Sequence, residues 1–496
     1  MSMNFTRIIA LMLMLATVFT LFAACKNDET TTEDTIEQET QAPANDGVIP
    51  PSPVAAYDYE GYTFRVYTHQ KNDSAYGQWE FYSEGYNGER INDNVYERNL
   101  YIEDKYSINF EFESCIAYAM DKVNLAMSAG EDAYDLVLPS VFKALEWAGN
   151  GYLTEVHTVE HLDLADPWWD QSYLSASSVQ GKNYSLIGSL NILAYDAAAA
   201  GFFNKNVMDK YGIENPYDLV NNGTWTMEKM FEIGKSVVGD VDGDGTMTEK
   251  DRYIMSVNSF ASLTFSYGAG IQLSQKNSKD EPELLALDPM FVDYFQKMVE
   301  SISKNPDVLY SEDYGTDRRI TIPQEAFEED RIFFTDGTLL DAHIKGINGL
   351  NYGLVPMPKA TSEQKNYSSF IHYGNSSTTV IPRAAEDTER TGRILADIAY
   401  HSYYYLYPAY IEDTVKSRYA KDEEAAKNVD LIVNSICYDF ANMMNLALIE
   451  DLRGLMNSKN TDIASTFKSG QRTYQISLNR LISGIKRANE ALTATN

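Results

Sequence analysis

Residues 184–206, YSLIGSLNILAYDAAAAGFFNKN, constrain this chain more than any other stretch, because the chain before them and the chain after them read as two separate lobes. Tyr184, Leu186 and Ile187 with Gly188 describe a short strand ending where backbone crosses backbone. Gly201, Phe202 and Phe203 give a second strand running into Asn204 and Lys205, and Ala197 to Ala200 between them are small enough for close packing. Periodicity alone fits two readings, a junction between lobes or one buried strand pair of a larger sheet. At 496 residues the chain exceeds one ordinary core and fits two large lobes, at roughly 150 residues per domain.

The N-terminus reads as a secretory signal. One basic residue, Arg7, precedes an apolar run from Ile8 to Ala24 broken only by Thr17 and Thr20. It ends in Leu21-Phe22-Ala23-Ala24-Cys25, which resembles a bacterial lipobox, so residues 1–24 are expected to be removed and Cys25 acylated. A plain transmembrane anchor is the alternative, since the run is near the lower length limit for spanning. Lys26 to about Ala56 is rich in Thr, Glu, Asp, Gln and Pro, and residues 25–56 are expected to form an acylated, disordered acidic tether. The expected location is outside the bacterial cytoplasmic membrane, lipid-anchored to its outer face.

A net charge of -32 argues against nucleic acid and favours neutral or cationic ligands, although solubility alone accounts for acidity as well. Thirty-five tyrosines suit a surface that stacks on sugar faces and donates hydroxyl hydrogen bonds, yet most tyrosines in any chain belong to its core. Beyond Cys25 only Cys115 and Cys437 remain, expected as two buried free thiols.

From Gly61 to Tyr67 the sequence alternates as a strand. Ile91 to Lys105 reads as a helix with Ile91, Val95, Leu100 and Ile102 inward, and Ile108 to Phe112 as the next strand. Strand, helix, strand, helix, strand makes a parallel α/β lobe, whose ligand crevice lies beyond the carboxyl ends of the strands. His69 and Gln70 follow the first strand, and Asp135 to Ser140 should face the same cleft. Asp166-Pro167-Trp168-Trp169-Asp170 reads either as a stacking subsite flanked by carboxylates or as a plug in the core. Thr226 is an expected N-cap for a helix Met227 to Val238.

Residues 240–251, DVDGDGTMTEKD, form the sharpest motif. Acids at loop positions 1, 3, 5 and 12 with glycine at 6 match the EF-hand calcium loop, with Asp251 in place of the usual glutamate. The expected ligands are Asp240, Asp242, Asp244, Thr246, Thr248 and Asp251, holding a structural Ca2+. The glutamate-to-aspartate swap resembles dockerin loops. An ion-free acidic turn is the other reading.

The strand ending in Phe202-Phe203-Asn204-Lys205, the helix start Thr224-Trp225-Thr226, the lipobox, and Tyr352 to Lys359 (YGLVPMPK) together resemble family 1 extracellular solute-binding proteins, the receptors of ATP-driven importers. Ser417 to Ile432 closely resembles a segment of clostridial-type members. The resemblance spans about 57 to 445. It implies a two-lobed type II periplasmic-binding-protein-like α/β fold with hinge crossings and a helical C-terminal part. Lobe 1 is expected over 57–187 and 357–405, lobe 2 over 188–356 and 406–496. It further implies a monomer that takes a carbohydrate between its lobes and delivers it to an ABC permease, without being an enzyme.

The expected ligand contacts are His69, Gln70, Ser140, Asn258, Asp336 and Tyr373, with Trp168 for stacking. Tyr438 and Phe440 read as core residues or as a last aromatic contact. A rival reading is a secreted glycoside hydrolase with paired carboxylates, for which the 72 acids offer many pairs. A calcium-dependent adhesion module would call for repeats, and none are visible.

Overall fold

Strand β1 (Tyr62–His69) alternates its side chains between two cores: Phe64 and Val66 enter one and Tyr67 the other. The computed structural model describes residues 49–69, 80–115, 120–285, 288–315, 317–347, 349–374, 376–445 and 447–493. The expected signal segment, Cys25, Gln70 and most of the tether lie outside these residues. No helix among the described residues is long and apolar enough to cross a membrane.

β1 is the centre of a three-stranded parallel sheet, flanked by β2 (Ile108–Cys115) and β3 (Leu136–Val137). Both faces are covered, as parallel sheets require. The helix Arg90–Tyr106 begins one residue before the expected span and is capped by the Glu89 carboxylate. Ile91, Val95 and Ile102 face inward as expected, but Leu100 is 43% exposed. The buried phase runs through Arg98 and Asn99 to Ile102 and Tyr106, and the 3.6-residue repeat turns position 100 to solvent. Residues 377–382 return to this sheet through antiparallel bridges, Val137 with Val380 and Leu186 with Thr379.

The second sheet has five strands in the order β10-β4-β9-β5-β8. β4 (Ala199–Asn204) starts two residues earlier than the sequence suggested. It pairs antiparallel with β9 (Ile332–Thr338) and β10 (Tyr352–Val355), while β5 (Tyr253–Val257) is parallel to β9 and to β8 (Val308–Tyr310). β6 (Ser274–Lys276) and β7 (Pro282–Leu284) form a separate two-stranded ribbon. Thr226 caps its helix as expected, accepting from Lys229 N, although the α-helix ends at Gly234 and finishes as a 3-10 turn.

Three passages of chain lie side by side between the sheets. Ala199 N donates to Phe370 O and His372 N to Ala197 O, while Ser369 N donates to Ser435 O and Cys437 N to Ser369 O. The crossing before β4 is as tight as its sequence implied. A Cβ on Gly188 would come within 2.5 Å of Trp168 O and 2.8 Å of the Trp169 ring, so only glycine fits there.

The C-terminal helix Ile463–Thr493 packs in two cores. Phe467 and Tyr474 pack in the core of the second sheet, but Leu478, Ile482 and Ile485 pack in a core of the first. Gly149 and Gly484 meet backbone to backbone, which lets this helix lie close on Val141–Asn150. Residues 406–496 therefore do not belong to lobe 2 alone. Cys437 is a free thiol, pushed up to about 12 by burial, and the side chain of Cys115 lies outside the described residues.

Candidate functional site

β5, β8 and β9 run parallel, so their carboxyl ends share one edge of the second sheet, and antiparallel β4 begins at that edge. A cavity of about 450 Å3 opens there. Asn258 and Phe260 follow β5 into it, and Thr335 to Thr338 end β9 on its floor. The helix Leu339–Ile347 adds Asp341 and Lys345, and Thr321–Glu328 adds Gln324 and Glu328. Leu193, Asp196 and Ala197 from the crossing before β4, with His372 from the return passage, close the opposite wall.

Local chemistry fixes the polar groups. Thr338 precedes its helix and donates its main-chain N–H to Asp341 Oδ2 at 2.7 Å, with its hydroxyl 3.1 Å from the same oxygen, the arrangement of a helix cap. Thr264 Oγ1 donates to Asp336 Oδ2 at 2.6 Å, yet burial still pushes that carboxyl up to about 6. Asp196 is pushed further, to about 7. Its Oδ1 accepts from the Tyr410 hydroxyl at 2.6 Å, while Oδ2 is buried without a hydrogen-bond partner. Burial pushes the Lys345 ammonium down, and its Nζ sits 5.1 Å from the Phe202 ring centre. The same cause takes His372 down to about 4, so its imidazole is neutral at pH 7. Such a site offers many acceptors, few donors, and an apolar wall in Phe260, Leu193 and Ala197.

Of the described residues expected to touch a ligand, Asn258 and Asp336 line this cavity and Ser140, Trp168 and Tyr373 do not. Ser140 is buried as the N-cap of Val141–Asn150, with its hydroxyl oxygen facing Lys143 N. Trp168 does not stack over the cavity. It packs in a core of the first sheet, its ring 5.8 Å from Tyr400 and 6.3 Å from Tyr403. Tyr373 is buried one residue past His372, its hydroxyl accepting from Asp439 N at 3.1 Å. Tyr438 donates to Asp170 Oδ2 at 2.7 Å and Phe440 packs beside it, both in the core. His69 ends β1, paired with Cys115, and its side chain lies outside the described residues.

Asp196, Asp341, Lys345 and His372 escaped the sequence reading. Asp196 had a legible signal, a single carboxylate within the apolar run Ile192 to Phe203. His372 had none, because its position depends on which residue of 369–372 pairs with the crossing.

The acidic loop stands apart from this cavity. Gly239 and Arg252 close it with an antiparallel bridge, and it leads into β5 and not into a second helix as in a paired hand. Asp240 accepts from Gly243 N and Gly245 N, at 2.6 and 2.7 Å, and Asp251 from Val241 N and Thr248 N, each at 2.7 Å. Asp240, Asp242 and Asp251 each present an oxygen within 4.8 Å of the others. Asp244 instead accepts from Thr246 N at 2.7 Å. A second group, Glu160, His161 and Glu389, is already joined by the Arg393 guanidinium on Glu389.

No family model and no curated protein matches the sequence. Solved structures match its fold. UspC of M. tuberculosis is 13% identical, with 84% of this chain covering 100% of that one at a TM-score of 0.55. An ABC substrate-binding protein of Listeria monocytogenes, solved with cycloalternan, is 11% identical over 88% of this chain and 100% of its own, at 0.52. The maltose-binding periplasmic protein of Listeria monocytogenes, solved with maltose, is 14% identical over 86% and 98%, at 0.51. The chain has the two-lobed α/β fold of these structures, and its C-terminal part is helical.

Proposed function

We propose that this chain is the substrate-binding protein of an ABC importer, which captures a saccharide in the cavity beyond β5 and β9 and hands it to a membrane permease. The observation that carries the reading is the composition of the cavity wall. One side comes from the carboxyl edge of the second sheet, and the other from the passages that join the two sheets. In a two-lobed receptor a ligand seated here gains further contacts when the first lobe closes over it, so binding shifts the population toward a closed form that the permease recognises. Asp196, Asp336 and Asp341 accept hydrogen bonds from sugar hydroxyls, and Phe260 supplies an apolar face. That two proteins sharing the fold were solved with cycloalternan and maltose supports the saccharide class. Secretion, acylation at Cys25 and action as a monomer belong to the same reading, and they rest on the N-terminal sequence and the family resemblance.

Ca2+ in the 240–251 loop belongs to it too. The three carboxylates within 4.8 Å fit a divalent cation, since unscreened acids this close repel. When bound, the ion supplies neutralisation that ties the loop to the start of β5.

A thermal-shift screen of the purified protein with calcium, against saccharide, peptide and polyamine panels, tests the reading. A ligand at about a hundred times its Kd adds roughly 2.7 kcal/mol. A shift with saccharides that leaves them chemically unchanged is the expected result. Release of new reducing ends would instead establish the hydrolase, and no shift with any saccharide would sink the receptor reading.

A further inference from the structure

The cavity's acids outnumber its cations. Among the described residues Asp196, Asp336, Asp341 and Glu328 line it against a single ammonium, Lys345. Asp341 is the shared neighbour: its charge acts on Asp196, on Asp336, on Lys345 and on His372. Lys345 is itself held between two rings, 5.1 Å from the centre of Phe202 and 5.2 Å from that of Phe327. Asp196 is 5% exposed and keeps one oxygen with no partner, although it lies on the cavity wall. A neutral sugar would donate hydroxyls to these carboxylates and leave their mutual repulsion in place. A ligand ammonium offers three donors and the opposite charge, and charge-assisted hydrogen bonds are the stronger kind.

We infer that the saccharide taken by this cavity carries a primary ammonium group, which pairs with the acids that line it. The inference rests on the saccharide reading and narrows it to amino sugars. The protein's net charge of -32 adds a field that draws such cations in.

Calorimetric titration of the full chain at pH 7 tests this, with glucosamine, galactosamine and chitobiose set beside their N-acetylated and hydroxyl counterparts, and with spermidine. At least one amino form should bind tenfold or more tightly than both neutral counterparts. The quantity to follow in variants is that ratio, because a poorly folded variant weakens both ligands together. Asp336→Asn should lower the ratio about tenfold, and Lys345→Met, which removes the competing cation, should raise it. Neutral forms binding as tightly as amino forms would overturn the inference and leave the saccharide reading standing. Spermidine binding alone, or no binding at all, would overturn both.

Discussion

In the loop 240–251 main-chain N–H groups aimed at Asp240 and Asp251 hold both carboxyls below their ordinary range. In the cavity, burial pushes Asp336 up to about 6 and Asp196 to about 7, and each has a single hydroxyl donor. The residue type is the same and the surroundings differ. The loop brings its own backbone donors to Asp240 and Asp251 by local turns, so both stay charged, and a cation relieves the repulsion that remains among its acids. The cavity leaves its acids under-supplied inside a packed wall. A site that must bind something keeps its polar groups short of partners; a structural turn satisfies them at once.

The largest test of this contrast is the pH dependence of folding. Folded Asp196 still holds the proton that the unfolded chain releases near 3.8, so stability is full below that pH and falls as pH rises to about 7. The loss from this one group is about 4 kcal/mol across that window. Glu80, fully buried against Ser377 and Leu193 N and pushed up to about 7, adds to the same slope, as does Asp336. Asp196→Asn should remove about 3 kcal/mol of the decline between pH 4.5 and pH 8 while leaving a residual slope. Urea unfolding of ligand-free protein at pH 4.5 and pH 8 reads it, and an unchanged slope would show that Asp196 is not held protonated. The loop acids act oppositely, and their contribution disappears only as pH falls below about 4.

Calcium comes next in size. Saturation at about a hundred times Kd should stabilise the protein by roughly 2.7 kcal/mol, seen as a melting temperature lowered by a chelator. A melt indifferent to chelator would return the loop to an ion-free turn. Asp251 is 2% exposed, and Asp251→Ala should cost about 2 kcal/mol even without the ion, because Val241 N and Thr248 N lose their acceptor. The same variant should abolish the calcium increment. Retention of that increment would exclude Asp251 as a ligand.

The loop was legible in the sequence because its geometry is local. Spacing alone puts Asp240, Asp242 and Asp251 together, and Gly243 and Gly245 adopt the positive φ its turns need. β1, the Thr226 cap and the tight crossing at Gly188 were legible for the same reason. The cavity was half legible. Asn258 and Asp336 lie at carboxyl ends of parallel strands, where a ligand is expected. Asp196 lies at the amino end of β4, which reaches the cavity only because that strand runs antiparallel, a fact of topology. Tyr373 was named where His372 lines the wall, since a slip of one residue in an extended segment exchanges its two faces. Trp168 misled because a dense aromatic cluster looks alike in a cleft and in a core, and its partner Tyr400 lies far along the chain.

The smallest test asks whether donor supply or burial sets the contrast. Thr264 is 1% exposed and its hydroxyl is the donor to Asp336, so Thr264→Val removes one hydrogen bond at nearly constant shape. If donors matter in the cavity as they do in the loop, the Asp336 carboxyl should rise further above about 6, by about 1.4 kcal/mol or tenfold in proton affinity. A carbon-13 titration of the Asp336 carboxyl in ligand-free protein measures it. An unmoved midpoint would mean that burial alone governs Asp336, and that one hydroxyl is too little to offset it. The loop's several main-chain donors per carboxylate, with Asp240 also partly open to solvent, would then mark the threshold at which an acid stays charged. The cavity acids, below that threshold, are the ones left for a ligand to satisfy.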